Sequence, residues 1–313
     1  MKLYIFIFSI LISLNSFSQK SNLYHLLSYK IGGYYYNKQY DSCKVILNEI
    51  EEVGYIIHPH HLKLFVKSAI MIDDTLKVKK YLEMLVSKTN NDTSFIAKEP
   101  EFRKIRNYSW WNSFVKEYDS LKLYYYNNFD LEYSIKLRNM LYLDQYLRTK
   151  YPDSLIKNYN ISLYIDNDNF LNIKHIIQQK GFPKYSEVGY KGIKAVYLIL
   201  MHSTTYSESR FHYIDSLLKS ELAKNNFLPW MYANIIDRYY RNKEGYQIYG
   251  SFIEKDNMRN NTYGKIINIK ELDKRRYDLG LYSFYNFAQD VKIKTFPKEY
   301  HKLDLLNYYY TNK

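Results

Sequence analysis

Residues 21–88 read SNLYHLLSYKIGGYYYNKQYDSCKVILNEIEEVGYIIHPHHLKLFVKSAIMIDDTLKVKKYLEMLVSK. Apolar residues recur there every three or four positions, the spacing that gives a helix one apolar face. The stretch divides into four predicted helices, SNLYHLLSYKIGGYYYNK, QYDSCKVILNEIEEV, PHHLKLFVKSAIMI and DTLKVKKYLEMLVSK. An offset of about 35 residues superposes Ile31 on Val66, Tyr36 on Met71, Leu47 on Leu82 and Ile50 on Leu85. That offset lies beside the roughly 34-residue period of tetratricopeptide helix pairs. Tyr34, Tyr40 and Cys43 stand where such a repeat places two aromatics and a small residue, so a packing role between two helices is expected for Cys43.

Outward from this block, the composition agrees with a helical fold. The chain has 313 residues, only 10 Gly and 6 Pro, 46% hydrophobic and 25% charged residues. These are the proportions of a folded protein with few of the turns a many-stranded sandwich needs. Upstream, Lys2, an apolar run from Leu3 to Leu14 and Ser16-Phe17-Ser18 follow the order of a secretory signal, with cleavage expected after Ser18. The run is too short to span a bilayer. An exported protein, periplasmic or extracellular, without stable membrane insertion after cleavage, is the expectation. One cysteine closes no intramolecular disulfide.

Downstream, the periodicity breaks between Thr89 and Asn107, read as a linker. The expected organisation is a signal peptide at 1–18, tetratricopeptide-like helix pairs and linker at 19–107, and a helical domain with a small β-hairpin at 108–313. The hairpin is expected from YQIYGSFI and YGKIINI around EKDNMRNNT, with Gln247 and Tyr249 on one face of its first strand. The fold class is mainly α.

The formal charge is +13. Residues 19–130 hold 16 basic and 13 acidic residues and 131–313 hold 28 and 19, so the excess lies toward the C-terminus. It is dispersed, which suits a small anionic ligand or a protein partner better than a specific nucleic-acid groove.

Polar residues interrupt the apolar pattern at intervals within 131–290. Leu131, Ile135, Leu141 and Leu147 are spaced for a buried face, with Asp144, Gln145 and Arg148 beside it. Gly181 and Pro183 end one helix, and Gly189 and Gly192 frame an expected tight loop. His202 closes the apolar run from Ala195. Asp237 and Arg238 sit in one further helix, followed by Gln247, Tyr249 and Gly250.

In this order the elements resemble an uncharacterised family of exported bacterial proteins. Its pattern runs Asp-Gln-x-x-Arg, Gly-aromatic-Pro with a later Gly, a helix ending in His, Asp-Arg, Gln-x-Tyr-Gly and Asp-x-x-Arg before Gly-Leu. Here these are Asp144, Gln145 and Arg148; Gly181, Phe182, Pro183 and Gly189; His202; Asp237 and Arg238; Gln247, Tyr249 and Gly250; and Asp273, Arg276, Gly280 and Leu281. The likeness spans about half the chain, with Phe182 in place of a common Trp, Met201 in place of the Gln before the His, and Ser251 in place of Thr. It implies no chemistry, since the family has none assigned.

From the residues themselves, two functions are open. One is a binding or interaction module in which Arg148, Arg238, Gln145, Gln247 and Tyr249 bind a ligand. The other is a metal-independent hydrolase in which His202 works with Asp237 or Asp144 and an Arg stabilises developing negative charge. No cofactor is called for. His58, His60 and His61 lie around Pro59 without a nearby carboxylate and are not read as a metal site. A third possibility is that the same polar groups only tie helices together.

Overall fold

The structure is a computed structural model describing residues 21–89, 100–150, 159–255, 260–293 and 295–304. The expected signal segment lies outside these residues. The chain is mainly α-helical with one small two-stranded sheet. No described helix is long and apolar enough to cross a membrane.

Two compact units emerge, one of residues 27–142 and 176–195, the other of residues up to 26, 143–175 and 196–313. Four helices, 21–36, Leu131–Lys150, Tyr159–Lys180 and Tyr185–Ser203, each contribute residues to both units.

The first unit carries the helix pairs. Helix α1 covers 21–36, α2 Tyr40–Glu52, α3 Leu62–Met71 and α4 Thr75–Lys88. In α2 the buried residues are Cys43, Ile46, Leu47 and Ile50, and in α4 they are Val78, Tyr81, Leu82, Leu85 and Val86. Both sets keep a helical stripe inward, and each fully buried aliphatic side chain contributes about 1.5–3 kcal/mol. Of the four positions matched at offset 35, three are buried in both copies, whereas Tyr36 is 79% exposed. Cys43 is buried with its thiol directed at the Ile31 carbonyl of α1, 3.7 Å away, and burial pushes that thiol above its usual range. It packs between helices and is poorly suited to act as a nucleophile.

The second half of the expected linker lies within the described residues. A 3-10 turn at Pro100–Asn107 buries Phe102 and Ile105, and the Tyr35 hydroxyl of α1 donates to Glu101 at 2.8 Å. Helix α5 is Trp111–Asn128 and α6 is Leu131–Lys150. The expected inward face of α6 is not the observed one. Leu131 is 60% and Ile135 44% exposed, and Tyr133, Ser134 and Leu137 are buried instead. Helix α7 is Tyr159–Lys180 and α8 is Tyr185–Ser203. Gly189 kinks α8 at φ 68°, and Gly192 lies against Val188 with no room for a Cβ. The expected tight loop is therefore a kinked helix.

His58, His60 and His61 cap and form the 3-10 turn before α3, with the His60 N–H donating to His58 Nδ1 at 3.1 Å. Burial pushes the imidazoles of His60 and His61 below their usual range, and neighbouring histidines push His61 further. The unfolded chain therefore binds protons that the folded chain refuses. Stability contributed here is complete above about pH 6.5 and falls as pH drops below it. Thermal melts from pH 7.5 to 5 are expected to show that decline, and His61→Phe to lessen it; an unchanged slope in the variant would assign the pH dependence elsewhere.

The second unit adds α9, Glu208–Ala223, and α10, Pro229–Glu244. Pro229 at the first helical turn and Gly245 in the left-handed conformation delimit α10. Phe211 stacks on Tyr239 across the two helices at 3.5 Å. Strands β1 (Ile253–Lys255) and β2 (Asn261–Tyr263) pair antiparallel, with Ile253 opposite Tyr263. The hairpin exists, but several residues closer to its turn than expected. Gln247 lies before it and makes an isolated parallel bridge to Ile266, so neither Gln247 nor Tyr249 belongs to a strand. Helices α11 (Leu272–Leu279) and α12 (Phe284–Asp290) follow.

Candidate functional site

Four helices of the second unit bring ionisable groups together. Asp144, one helical turn from Arg148, lies on the buried side of α6. His202 is at the C-terminal end of α8, and its Nδ1 is 3.0 Å from Asp144 Oδ1. Arg148 donates from Nε to the same Asp144 oxygen at 3.3 Å and from Nη2 to Asp166 of α7. Gln145 donates to Asp144 Oδ2 at 2.6 Å.

Burial would raise the Asp144 carboxyl, but the His202 hydrogen bond, the charges of His202 and Arg148 and the Gln145 amide hold it below the usual carboxylate range. For Asp166 burial prevails over Arg148, and the neighbouring Asp144 charge adds to the upward shift. Two carboxylates sharing one guanidinium are thus pushed apart in acidity, a pattern frequent where acid–base work is done. Because an ionised carboxylate only accepts, the proton between Asp144 and His202 belongs to His202 Nδ1. That fixes the ring and leaves Nε2, which makes no hydrogen bond among the described residues, as the nitrogen able to meet a ligand. His202 retains 9% exposure.

Arg238 of α10 lies within electrostatic reach of Arg148 and Asp166. It is half-buried, makes no hydrogen bond or ion pair among the described residues, and its Nε is buried without an acceptor. Burial first, and then the like charge of Arg148, disfavour its cationic form, while Asp166 supports it. Arg210, at the start of α9, stands nearby: it donates to Asn167 at 2.6 Å and stacks between Tyr206 and Phe170 at 3.8 and 4.1 Å.

One oxygen or nitrogen each from Asp144, Asp166 and His202 lie within 4.8 Å of one another, close enough to hold a metal ion. Arg148 already occupies the position of cation to both carboxylates, so a metal would have to displace it.

Asp237, Gln247 and Tyr249 do not join this cluster. Asp237 is fully buried and accepts four hydrogen bonds from one loop: Oδ1 from the backbone N–H of Ile248 and Tyr249 at 2.6 and 2.8 Å, and Oδ2 from the N–H and hydroxyl of Ser251, both at 2.7 Å. Gln247 pairs both ends of its amide with Phe252, accepting at 2.8 Å and donating at 3.2 Å. The Tyr249 carbonyl receives Arg276 at 2.7 Å. Gly250 has φ +64°, and a Cβ there would meet Ile266 at 2.8 Å. Asp273 repeats the device, accepting from the N–H of Phe284 and Leu303 and the hydroxyl of Tyr300. These residues hold backbone. Adjacent in the chain, Asp237 is committed to the loop, whereas Arg238 makes no hydrogen bond to it and senses the charges of Arg148 and Asp166.

Asp166 escaped the sequence reading. It sits in IDNDNF, where nothing in the spacing separates it from its acidic neighbour Asp168. A separate open depression of about 380 Å³ in this unit is lined by Tyr263, Lys265, Ile266, Pro297, Lys298 and Glu299, none of them part of the cluster.

No family model, curated protein or solved structure matches the chain.

Proposed function

We propose that the chain is an exported module of the cell envelope that binds a small anion at the Asp144, Arg148, Asp166, His202 and Arg238 cluster. The observation that carries this reading is Arg238. A half-buried guanidinium with a dehydrated, unpaired Nε next to a second guanidinium is costly by itself. A bound carboxylate or phosphate would supply the missing acceptors in the two-pronged geometry a guanidinium favours. Arg148 is aimed by its two carboxylates, and His202 Nε2 offers a further polar contact. Export rests on Lys2, the apolar run and the small residues after it. The tetratricopeptide-like pairs of the first unit suit contact with a protein partner, and the ordered motifs support membership of the uncharacterised exported family.

Calorimetric titration with inorganic phosphate and acetate tests the proposal. Saturable one-to-one binding that weakens as salt rises is expected; absence of saturation with either anion would refute it.

A second reading, a metal-independent hydrolase, draws on the Asp144–His202 contact. A carboxylate on Nδ1 with Nε2 left over is the arrangement of an oriented general base. Water would be the nucleophile, because the Ser203 and Thr204 hydroxyls are spent on backbone carbonyls. Asp237 takes no part. This reading requires ester or phosphoester turnover that falls at least about 100-fold in His202→Gln, within the range of general-base contributions.

A further inference from the structure

We infer that the anion recognised here is carried by a sugar, so that the site takes an acidic monosaccharide unit whose charge meets Arg238 and whose ring lies along α10 against Trp230. This deepens the anion-binding reading and rests on it. Trp230, Asn234 and Arg238 recur at intervals of four residues and share one face of α10, each about 6 Å further along the axis. All three are half-buried. Tyr197 of α8 lines the same strip: Asn234 donates to its hydroxyl at 3.1 Å, and its ring meets Trp230 edge-on at 5.5 Å and 68°.

The strip thus runs from an aromatic ring through an amide to a guanidinium without an acceptor. The Trp230 indole N–H makes no hydrogen bond among the described residues, and Asn234 spends one amide hydrogen on Tyr197 while its carbonyl oxygen is unused. An aromatic face, a hydroxyl-binding amide and a cation in sequence match a sugar ring's apolar face, its hydroxyls and an attached carboxylate or phosphate. A planar base would be best held between two parallel rings, and the 68° angle leaves one ring to face it. An extended peptide would need free backbone groups, and those of α10 are used within the helix.

The test is calorimetry on the full chain with glucuronate, glucose 6-phosphate, glucose, acetate and inorganic phosphate. At least one acidic sugar is expected to bind ten or more times more tightly than its ring-free anion, with glucose alone not binding. Trp230→Leu should remove that advantage and leave the acetate and phosphate affinities unchanged. Should Trp230→Leu fail to fold, Asn234→Ala decides, with at least a threefold loss for the acidic sugar expected and an unchanged affinity overturning the inference. Acidic sugars binding no better than acetate or phosphate would overturn the sugar and leave the anion site standing. Glucose binding as well as glucuronate would overturn it too. Failure of every anion to bind would remove both.

Discussion

Replacing Arg238 by Met weakens anion binding by about 10–100-fold while leaving the melting temperature unchanged or slightly raised. The two effects have one cause. Hydrogen bonds to charged groups contribute about 1.5–3 kcal/mol, and each 1.4 kcal/mol is tenfold in affinity, so loss of the Arg238 fork accounts for the first. Met keeps the aliphatic stem in its packing and removes a half-buried cation whose Nε has no acceptor and whose neighbour Arg148 repels it. Stability is therefore expected to change by roughly 0 to +1 kcal/mol, against the usual destabilising direction of a substitution. Calorimetry and a thermal melt on the same sample read both quantities. Strong destabilisation with unaltered binding would make Arg238 a structural residue.

Asp237→Ala is expected to cost about 3–5 kcal/mol, because one carboxylate answers four donors and its removal strands three backbone N–H groups away from water. Asp237→Asn should recover little of that loss. One of its two terminal atoms becomes a donor and must face either the Ile248 and Tyr249 pair or Ser251. Urea unfolding measures both variants, and a loss below about 1 kcal/mol in Asp237→Ala would show that the loop is held by other means.

These two neighbours show what the sequence discloses and what it conceals. A carboxylate beside an arginine in an apolar helix reads the same whether it serves a ligand or a loop. The partners of Asp237 are mainly backbone N–H groups, which carry no residue identity, so no spacing signals them. The Asp144–Arg148 pair was legible because the two are one helical turn apart, whereas the sequence marks His202 only as the end of an apolar run and gives no sign of its contact with Asp144 58 residues away. Asp166 was not, since its contact with Arg148 joins two helices across 18 residues.

The helices of the first unit follow from their apolar periodicity, and the buried residues of α2 and α4 keep it closely. Helix α6 misled because apolar residues occur all around it. Its buried stripe runs Tyr133, Leu137 and Asp144, ending in a charge that an apolar pattern rejects. The hairpin was displaced for a related reason: Gln247 and Tyr249 have the alternation of a strand, but the Asp237 carboxylate claims the backbone N–H groups of Ile248, Tyr249 and Ser251.

Side-chain NMR of arginine Nε–H groups and of the His202 ring, followed during addition of inorganic phosphate or acetate, tests the anion site most directly. Arg238 Nε–H and His202 Nε2 should shift together along one saturable curve with a single Kd, and Arg275, which is committed to backbone carbonyls, should stay still. Small, linear and unsaturated shifts spread evenly over all arginines would contradict the account.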